Sequence, residues 1–540
     1  MLYVLFSWFL SLGIFTALGC LSQWLFFKKK SLHPFFILLN GMFFYLLIVW
    51  FVLYITGFNL LFQLIIFVVS VSILAVVKKD CSFFQAFKNQ WNNLQRNEKI
   101  FLSLIFILLL YVNSIPSLLP DHESYYLQTI KWANKEGFVL GLMNIHPFLG
   151  QFSGWHVLQS GVNLPFANIY ANSLNGFLLF NFVFWVLLDK RPYFSSWLKW
   201  LFLLSPVLVF FAGGSSPDLA VWLLSLLVFD LFLRYDSSMD EEAFKQFTFL
   251  VFFSVLIKPT AIVNLVLWII VWIKNRQKLK NIRLFGIITA GIGLVLWISK
   301  NFMITGYFFY PFDFFSKFFH PQWQYPSDLL HYMGQLGDLE SKALHLNNLG
   351  SSLGHWLFPG SLIEQIFNPL MLILLLVFPL IVYKKRSQLV NYSAYWLIYL
   401  SFSVYFIVLL FVNPNVRFYL AGFMFLLLVL AELLLFPSLQ GLYAKLSAGI
   451  LTLSLILLII LTPYKSCTCK EPVLSKFRHY ESENKENLEF FYPAGENLFW
   501  ETGEANLPAL TPQMLEYFET NFGYYPQKMS CIRGFYMKKK

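Results

Sequence analysis

The chain has 540 residues, 58% of them hydrophobic and 20% aromatic, with only 12% charged. That balance lies far from a soluble domain's and excludes a water-soluble enzyme or carrier. The net charge of +11 is not a nucleic-acid footprint, because the basic residues sit in short clusters between apolar runs, where they act as topology signals. The runs are continuous and rich in Leu, Phe and Ile rather than alternating, so the expected fold class is an all-α polytopic membrane protein, not a barrel.

In chain order, the first apolar run, Leu2 to Phe27, ends at Lys28, Lys29 and Lys30. No basic residue precedes it and no small-residue cleavage site follows, so it reads as a retained helix with its N-terminus outside. Runs over His33 to Ile55 and Phe58 to Val77 bring the chain back inside. The segment Lys78 to Lys99 is basic and therefore cytoplasmic, and the next helix, to about Pro116, delivers Asp121 to the opposite face. The polar insertion Leu119 to Gly161 follows.

Further helices are expected at Tyr170 to Leu188, Trp197 to Phe211 and Leu219 to Leu233. Two half-length runs, Phe247 to Ile257 and Ala261 to Ile273, are interrupted by Lys258 and Pro259. They read either as a discontinuous hairpin lining a cavity or as two short helices with a snorkelling lysine. After a helix to about Ile298, a long outer loop, 301–365, carries Trp323 and Trp356 and suits a segment lying on the membrane. The last helices are placed at Ile366 to Tyr383, Tyr392 to Val412, Phe418 to Phe436 and Leu446 to Leu461. The total is about 14 crossings (12–14) at roughly 20 residues each.

The expected division is a transmembrane domain over 1–463, with outer loops 117–169 and 301–365, and a polar C-terminal cap over 464–540. Cys467, Cys469 and Cys531 fall on the oxidising side, where a bridge from Cys531 to one of the other two is expected; Cys20 and Cys81 read as ordinary thiols.

Four features converge on the outer face: Asp121 with Glu123, Asp218 in the run SSPD, Lys258 with Lys300, and Arg417 in NPNVRF. Ionisable residues at membrane depth are costly and mark function. Each has a structural alternative. Asp121 and Asp218 suit helix N-caps, His146 and His156 suit structural hydrogen bonding, and Arg417 suits an interface marker. Glu123 also suits a metal ligand beside Asp121, but a DHE triplet at 121–123 shows too few ligands for a divalent cation, so a metal is left open without support and no other cofactor is expected.

The order of these features resembles the GT-C superfamily of membrane glycosyltransferases. The resemblance rests on the acid in the first large outer loop, SSPD at a helix start, the lysine-centred hairpin, the pattern N-x-x-x-x-G-Y-x-x-Y-P from Asn301 to Pro311, and the pair Arg417-Phe418. It is strongest to a bacterial, polysaccharide-associated branch in which an aspartate is followed four residues on by a tyrosine and then LQxIKW, here Asp121, Tyr125 and Leu127 to Trp132. That branch continues Tyr-His, where this chain has Tyr125-Tyr126.

The resemblance implies a glycosyltransferase of the bacterial inner membrane, working at the periplasmic face in polysaccharide and cell-envelope biosynthesis. Its partners would be a polyprenyl-phosphate-linked sugar donor, a glycan or lipid acceptor and membrane lipids. Asp121, or Glu123 in its place, would be the general base. Lys258 and Arg417 would meet the leaving phosphate, and Asp218, Lys300, Tyr125, His146 and His156 would line the substrate. Two other readings are an O-antigen-type polymerase or ligase and a lipid-linked glycan transporter or flippase. A transporter would favour repeats and charges at the bilayer midplane, whereas these charges gather at one face.

Overall fold

The structure, a computed structural model, describes residues 1–439 except 28–31, 78–82, 115–116, 118, 120, 145–146, 165–173, 191–192, 236–238, 314–317, 390 and most of 326–361, together with 528–530 and 534–536. The chain is helical. Besides helix, the described residues include an isolated bridge, Phe309 with Phe312, and a three-residue antiparallel pair, Lys528–Ser530 with Gly534–Tyr536. The remainder of the expected cap, the last apolar run and the cysteines at 467, 469 and 531 lie outside the described residues.

Among the described residues, seven helical segments are long and apolar enough to cross a membrane: Leu2–Phe26, Pro34–Leu53, Leu60–Val77, Arg283–Thr305, Glu364–Lys384, Tyr392–Val412 and Val416–Leu434. The first three lie in helices α1 (Leu2–Phe26), α2 (Pro34–Leu53) and α3 (Leu60–Val77). These match the first three apolar runs to within about two residues at most ends, since each run is bounded by charged or turn residues. α1 and α2 pack at glycines. A Cβ on Gly19 would overlap the Ile37 carbonyl, and one on Gly41 the Phe15 carbonyl, so only glycine permits the approach of the two backbones.

The basic segment before Asp121 is not a plain loop. It holds an 11-residue helix, α4 (Phe83–Asn93), ahead of α5 (Arg96–Val112). The Glu98 carboxylate accepts from the Gln95 backbone N–H at 2.6 Å and fixes the start of α5. Then come α6 (Leu127–Lys135), α7 (Gly154–Val162) and α8 (Leu174–Phe182), which passes into a π-helical turn at Val183–Leu187.

Two expected helices change form. The run from Trp197 opens as a 3₁₀ helix, Ser196–Leu204, and becomes α-helical only over α9 (Ser205–Ala212). Two carboxylates secure its first turns: Asp230 accepts from the Ser195 N–H at 3.0 Å and Glu432 from Trp200 Nε1 at 2.8 Å. α10 (Pro217–Tyr235) is followed by α11 (Glu241–Ile257), which starts before its apolar run because Asp240 caps the Ala243 N–H at 2.8 Å. α11 is therefore a 17-residue helix rather than a half-length one. After Lys258 and a 3₁₀ turn at Pro259–Ala261, α12 (Ile262–Lys274) packs back against it, giving the expected lysine-centred hairpin with unequal arms.

α13 (Arg283–Thr305) stops at Gly306, whose φ of +80° lies in the left-handed region that glycine tolerates. α14 (Leu362–Lys384), α15 (Tyr392–Val412) and α16 (Val416–Leu439) complete the described helices. Trp356 does not lie on a membrane surface. It is buried beside the Phe406 ring, with its indole N–H toward the Pro414 carbonyl. Cys20 is disulfide-bonded rather than an ordinary thiol.

One large aromatic-rich core joins most helices, while apolar side chains such as Leu61, Val68, Leu104, Val295 and Leu376 point outward. An outward apolar face on a helix that is also packed inside is the surface a bilayer solvates.

Candidate functional site

The site is assembled from helix ends. Asn175, on α8, has its side-chain Nδ2 at 3.1, 2.5 and 2.9 Å from the carbonyls of Phe211, Gly214 and Ser216, which share its two N–H groups. These contacts satisfy the backbone that leaves α9 and enters α10, and they hold the SSPD turn in place. Pro217 starts α10 and puts Asp218 in its first turn, fully buried. Its carboxylate is not an N-cap. Oδ1 meets Lys258 Nζ at 2.5 Å, and Oδ2 accepts from Ser216 Oγ at 2.8 Å.

Lys258 sits at the break between α11 and α12 in extended conformation, so its side chain leaves the hairpin tip instead of following a helix. Its ammonium also lies 4.7 Å from the Phe418 ring centroid, a cation–π contact. The adjacent residue, Arg417, lies in the first turn of α16. Asn415 Oδ1 accepts from the Arg417 N–H at 3.0 Å, and Trp222 Nε1 donates to the Arg417 carbonyl at 3.0 Å. With its backbone pinned on both sides, Arg417 extends Nη1 to Asp121 Oδ2 at 2.5 Å. Two acid–base pairs therefore stand side by side, bridged by the Arg417-Phe418 dipeptide.

The pairs differ in access. Asp218 is 1% exposed, whereas Asp121 and Arg417 are 28% and 32% exposed at their side chains. Asp121 is thus the acid that a ligand can reach. It stands at the mouth of a π-helical turn, His122–Tyr126, and its carboxylate makes no cap bond there. π-turns insert one residue into a helix and recur at functional sites.

Behind Asp121 the turn is braced. His122 Nδ1 accepts from the Ser215 N–H at 3.0 Å and lies 3.2 Å from Ser215 Oγ, linking the Asp121 loop to the SSPD loop. The Tyr126 hydroxyl is 3.5 Å from Asp121 Oδ2. Burial, then the charges of Asp218 and Asp121, push the Tyr126 phenol well above its ordinary range, so it stays protonated. Tyr125 is buried against Phe148 and shifted the same way, chiefly by burial.

His156 packs tilted against Tyr126, with ring centroids 4.8 Å apart, and lies close to the Ser215 backbone. Burial, followed by the nearby Lys258, Lys300 and His122, lowers its imidazole to about 3. It is a neutral ring, not an imidazolium. Lys300 does not reach the two pairs: its ammonium is buried against the Phe152 carbonyl at 2.6 Å. That contact fixes the residue before Ser153, whose hydroxyl caps α7 at the His156 N–H, so Lys300 acts by placing His156.

The fold thus brings together Asp121, Tyr125, Asp218, Lys258 and Arg417, with His156 directly behind them and Lys300 one shell further. His146 lies outside the described residues, as does the Glu123 side chain. Sequence reasoning missed the braces, His122, Tyr126, Ser215, Asn175 and Asn415. Two had a visible signal: His122 adjoins Asp121, and N-P-N before a helical run marks a side-chain-capped turn. Among the described residues no three His, Cys, Asp or Glu side chains gather to hold a metal ion; each acid here faces a cation instead. Such an arrangement offers an anion two cations already held at close quarters, next to a carboxylate that accepts protons.

No curated protein and no solved structure matches the chain. A family profile does, over residues 1–425, a span that takes in every site residue named above. The chain belongs to the family described as Domain of unknown function (DUF8201).

Proposed function

We propose that the protein is a GT-C-type membrane glycosyltransferase that moves a sugar from a polyprenyl-phosphate-linked donor to a glycan or lipid acceptor. In this reading the chain crosses the bacterial inner membrane about 14 times at roughly 20 residues per crossing, and the Asp121 face is periplasmic. The observation that carries it is the direct pairing of Asp121 with Arg417, 296 residues apart, beside Asp218 with Lys258. Acid and cation motifs scattered through the chain meet at one cluster of helix ends.

The pairing suggests how the site works. At rest, Arg417 neutralises Asp121. A donor phosphate competes for the guanidinium, which binds phosphate oxygens with fork geometry, and the carboxylate is released. Asp121 then accepts the acceptor hydroxyl's proton as that oxygen attacks the anomeric carbon. The glycosidic C–O bond to phosphate breaks, the electron pair leaves on the phosphate, and configuration inverts. Arg417 and Lys258 stabilise the charge that gathers there, while Asp218 holds Lys258 in place.

The test is sugar transfer by purified protein from a panel of polyprenyl-phosphate sugars, wild type against Asp121→Asn. Loss of a general base lowers the rate about 10²–10⁴-fold. A folded Asp121→Asn variant that transfers at the wild-type rate removes Asp121 from the chemistry. Lipid translocation with no transfer for any donor replaces this reading by the flippase one. Chain-length extension of a polymeric acceptor would instead identify the polymerase variant of the same reaction.

A further inference from the structure

The site leaves unused one element, α4, on the side of the molecule where the basic residues cluster. Its 11 residues divide into three faces. Phe83 and Gln90 point inward: Phe83 packs on Trp185, and Gln90 Nε2 donates to the Phe184 carbonyl at 3.2 Å. Phe84, Phe87 and Trp91, spaced three and four apart, form a stripe that is 52%, 40% and 38% exposed, with Phe87 at its inner edge, its ring centroid 5.0 Å from that of Phe184. Gln85, Asn89 and Asn92 make a third, polar face, with Gln85 bonded to Asn89 at 3.0 Å.

Basic residues line the outward side. Lys88 falls at the border of the aromatic and polar faces, Lys99 reaches over the Trp91 ring at 5.8 Å, and Arg96 begins α5 beside it. Lys190 sits at the junction of α4 and α5, 3.0 Å from Glu98 and 3.1 Å from the Asn93 carbonyl. α4 joins α3, an exposed apolar span, to α5, whose Ile100, Leu104 and Ile107 also face outward. Along the chain the aromatic stripe therefore lies between two helices with outward apolar faces, and its basic border is complementary to negative charge.

We propose that α4 is an in-plane anchor that seats its Phe84–Phe87–Trp91 stripe at the bilayer boundary and holds anionic phospholipid headgroups on Lys88, Arg96 and Lys99. Aromatic rings favour the headgroup level, and each Lys or Arg near an anionic surface contributes about 1 kcal/mol, roughly a fivefold preference. The occupant is the lipid surface itself.

The test uses the full chain in nanodiscs of phosphatidylcholine mixed with phosphatidylglycerol, with retained lipid counted by native mass spectrometry. Wild type is expected to retain phosphatidylglycerol over phosphatidylcholine, and each of Lys88→Gln, Arg96→Gln and Lys99→Gln to lower that preference about fivefold. An unchanged preference in the single variants and the triple variant overturns the proposal. Displacement of the lipid by soluble glycerol phosphate overturns it too, since a bare phosphate site would then suffice. Insertion is read separately with a nitroxide on Phe84→Cys and on Asn89→Cys, subtracting the signal of the unsubstituted protein. Position 84 is expected to be oxygen-accessible and shielded from a polar relaxant, and position 89 the reverse. Equal water access at both positions, or shielding of both by a second protein copy, sinks the in-plane placement.

Discussion

At the scale of single residues, the Asp218–Lys258 pair is the costliest to disturb, because the acid has no access to water. Removing one partner of a buried pair costs about 3–5 kcal/mol, since it strands the other charge. Asp218→Asn is expected to lower the unfolding midpoint in detergent strongly, and Asp218→Asn with Lys258→Met to recover much of the loss; equal midpoints for single and double variants would contradict the pairing. Arg417→Lys keeps the charge but loses the fork. Under the proposed reaction it weakens donor binding about tenfold or more, from the roughly 1.5–3 kcal/mol of a hydrogen bond to a charged group, seen as a raised donor KM with Asp121 intact. His156 gives a pH signature. Its folded pKa is lowered from 6.5 to about 3 by burial, so the unfolded chain binds more protons between those values. Its contribution is full above 6.5 and is lost as pH falls toward 3. Wild type should therefore lose more stability between pH 7 and 4 than His156→Gln does; parallel losses would place a charged or exposed ring there.

At the scale of elements, glycine contacts separate two classes of substitution. Gly→Ala in a helix stabilises by about 0.4–1 kcal/mol when the site is open. Gly13, with nothing near its missing Cβ, is such a site, whereas Gly41 faces the Phe15 carbonyl. Gly13→Ala should be neutral or raise the unfolding midpoint, and Gly41→Ala should lower it by prying α1 from α2, with overpacking costing about 1–3 kcal/mol. The elements also show what could be read in advance. α1 to α3 were legible because long apolar runs ended by Lys or Gly have one solution in lipid. α4 was not, because its four aromatics, spread among polar residues in an eleven-residue segment, are overshadowed by the flanking lysines. The 3₁₀ start at Ser196 was hidden as well, since it is stabilised by Asp230 and Glu432 on distant helices.

At the scale of the molecule, charge patterning located the ionisable residues on helix ends but gave no pairing. That Asp121 chooses Arg417 and Asp218 chooses Lys258 is decided by how α5, α10, α11 and α16 pack, and no local rule carries it. The reverse assignment reads equally well along the chain. The proposed orientation has its own check: Ser124→Cys should react with an impermeant thiol reagent from the periplasmic side, and labelling from the cytoplasmic side alone would invert the topology. The 296-residue separation of Asp121 from Arg417 also bears on how the protein is made. At about 5–20 residues per second, synthesis takes roughly 15–60 s to reach Arg417 once Asp121 has emerged. Throughout that interval the acid has no Arg417 to neutralise it while the helices around it insert. A cell that stalls or cleaves the nascent chain before α16 is left with a membrane-inserted fragment carrying an uncompensated carboxylate.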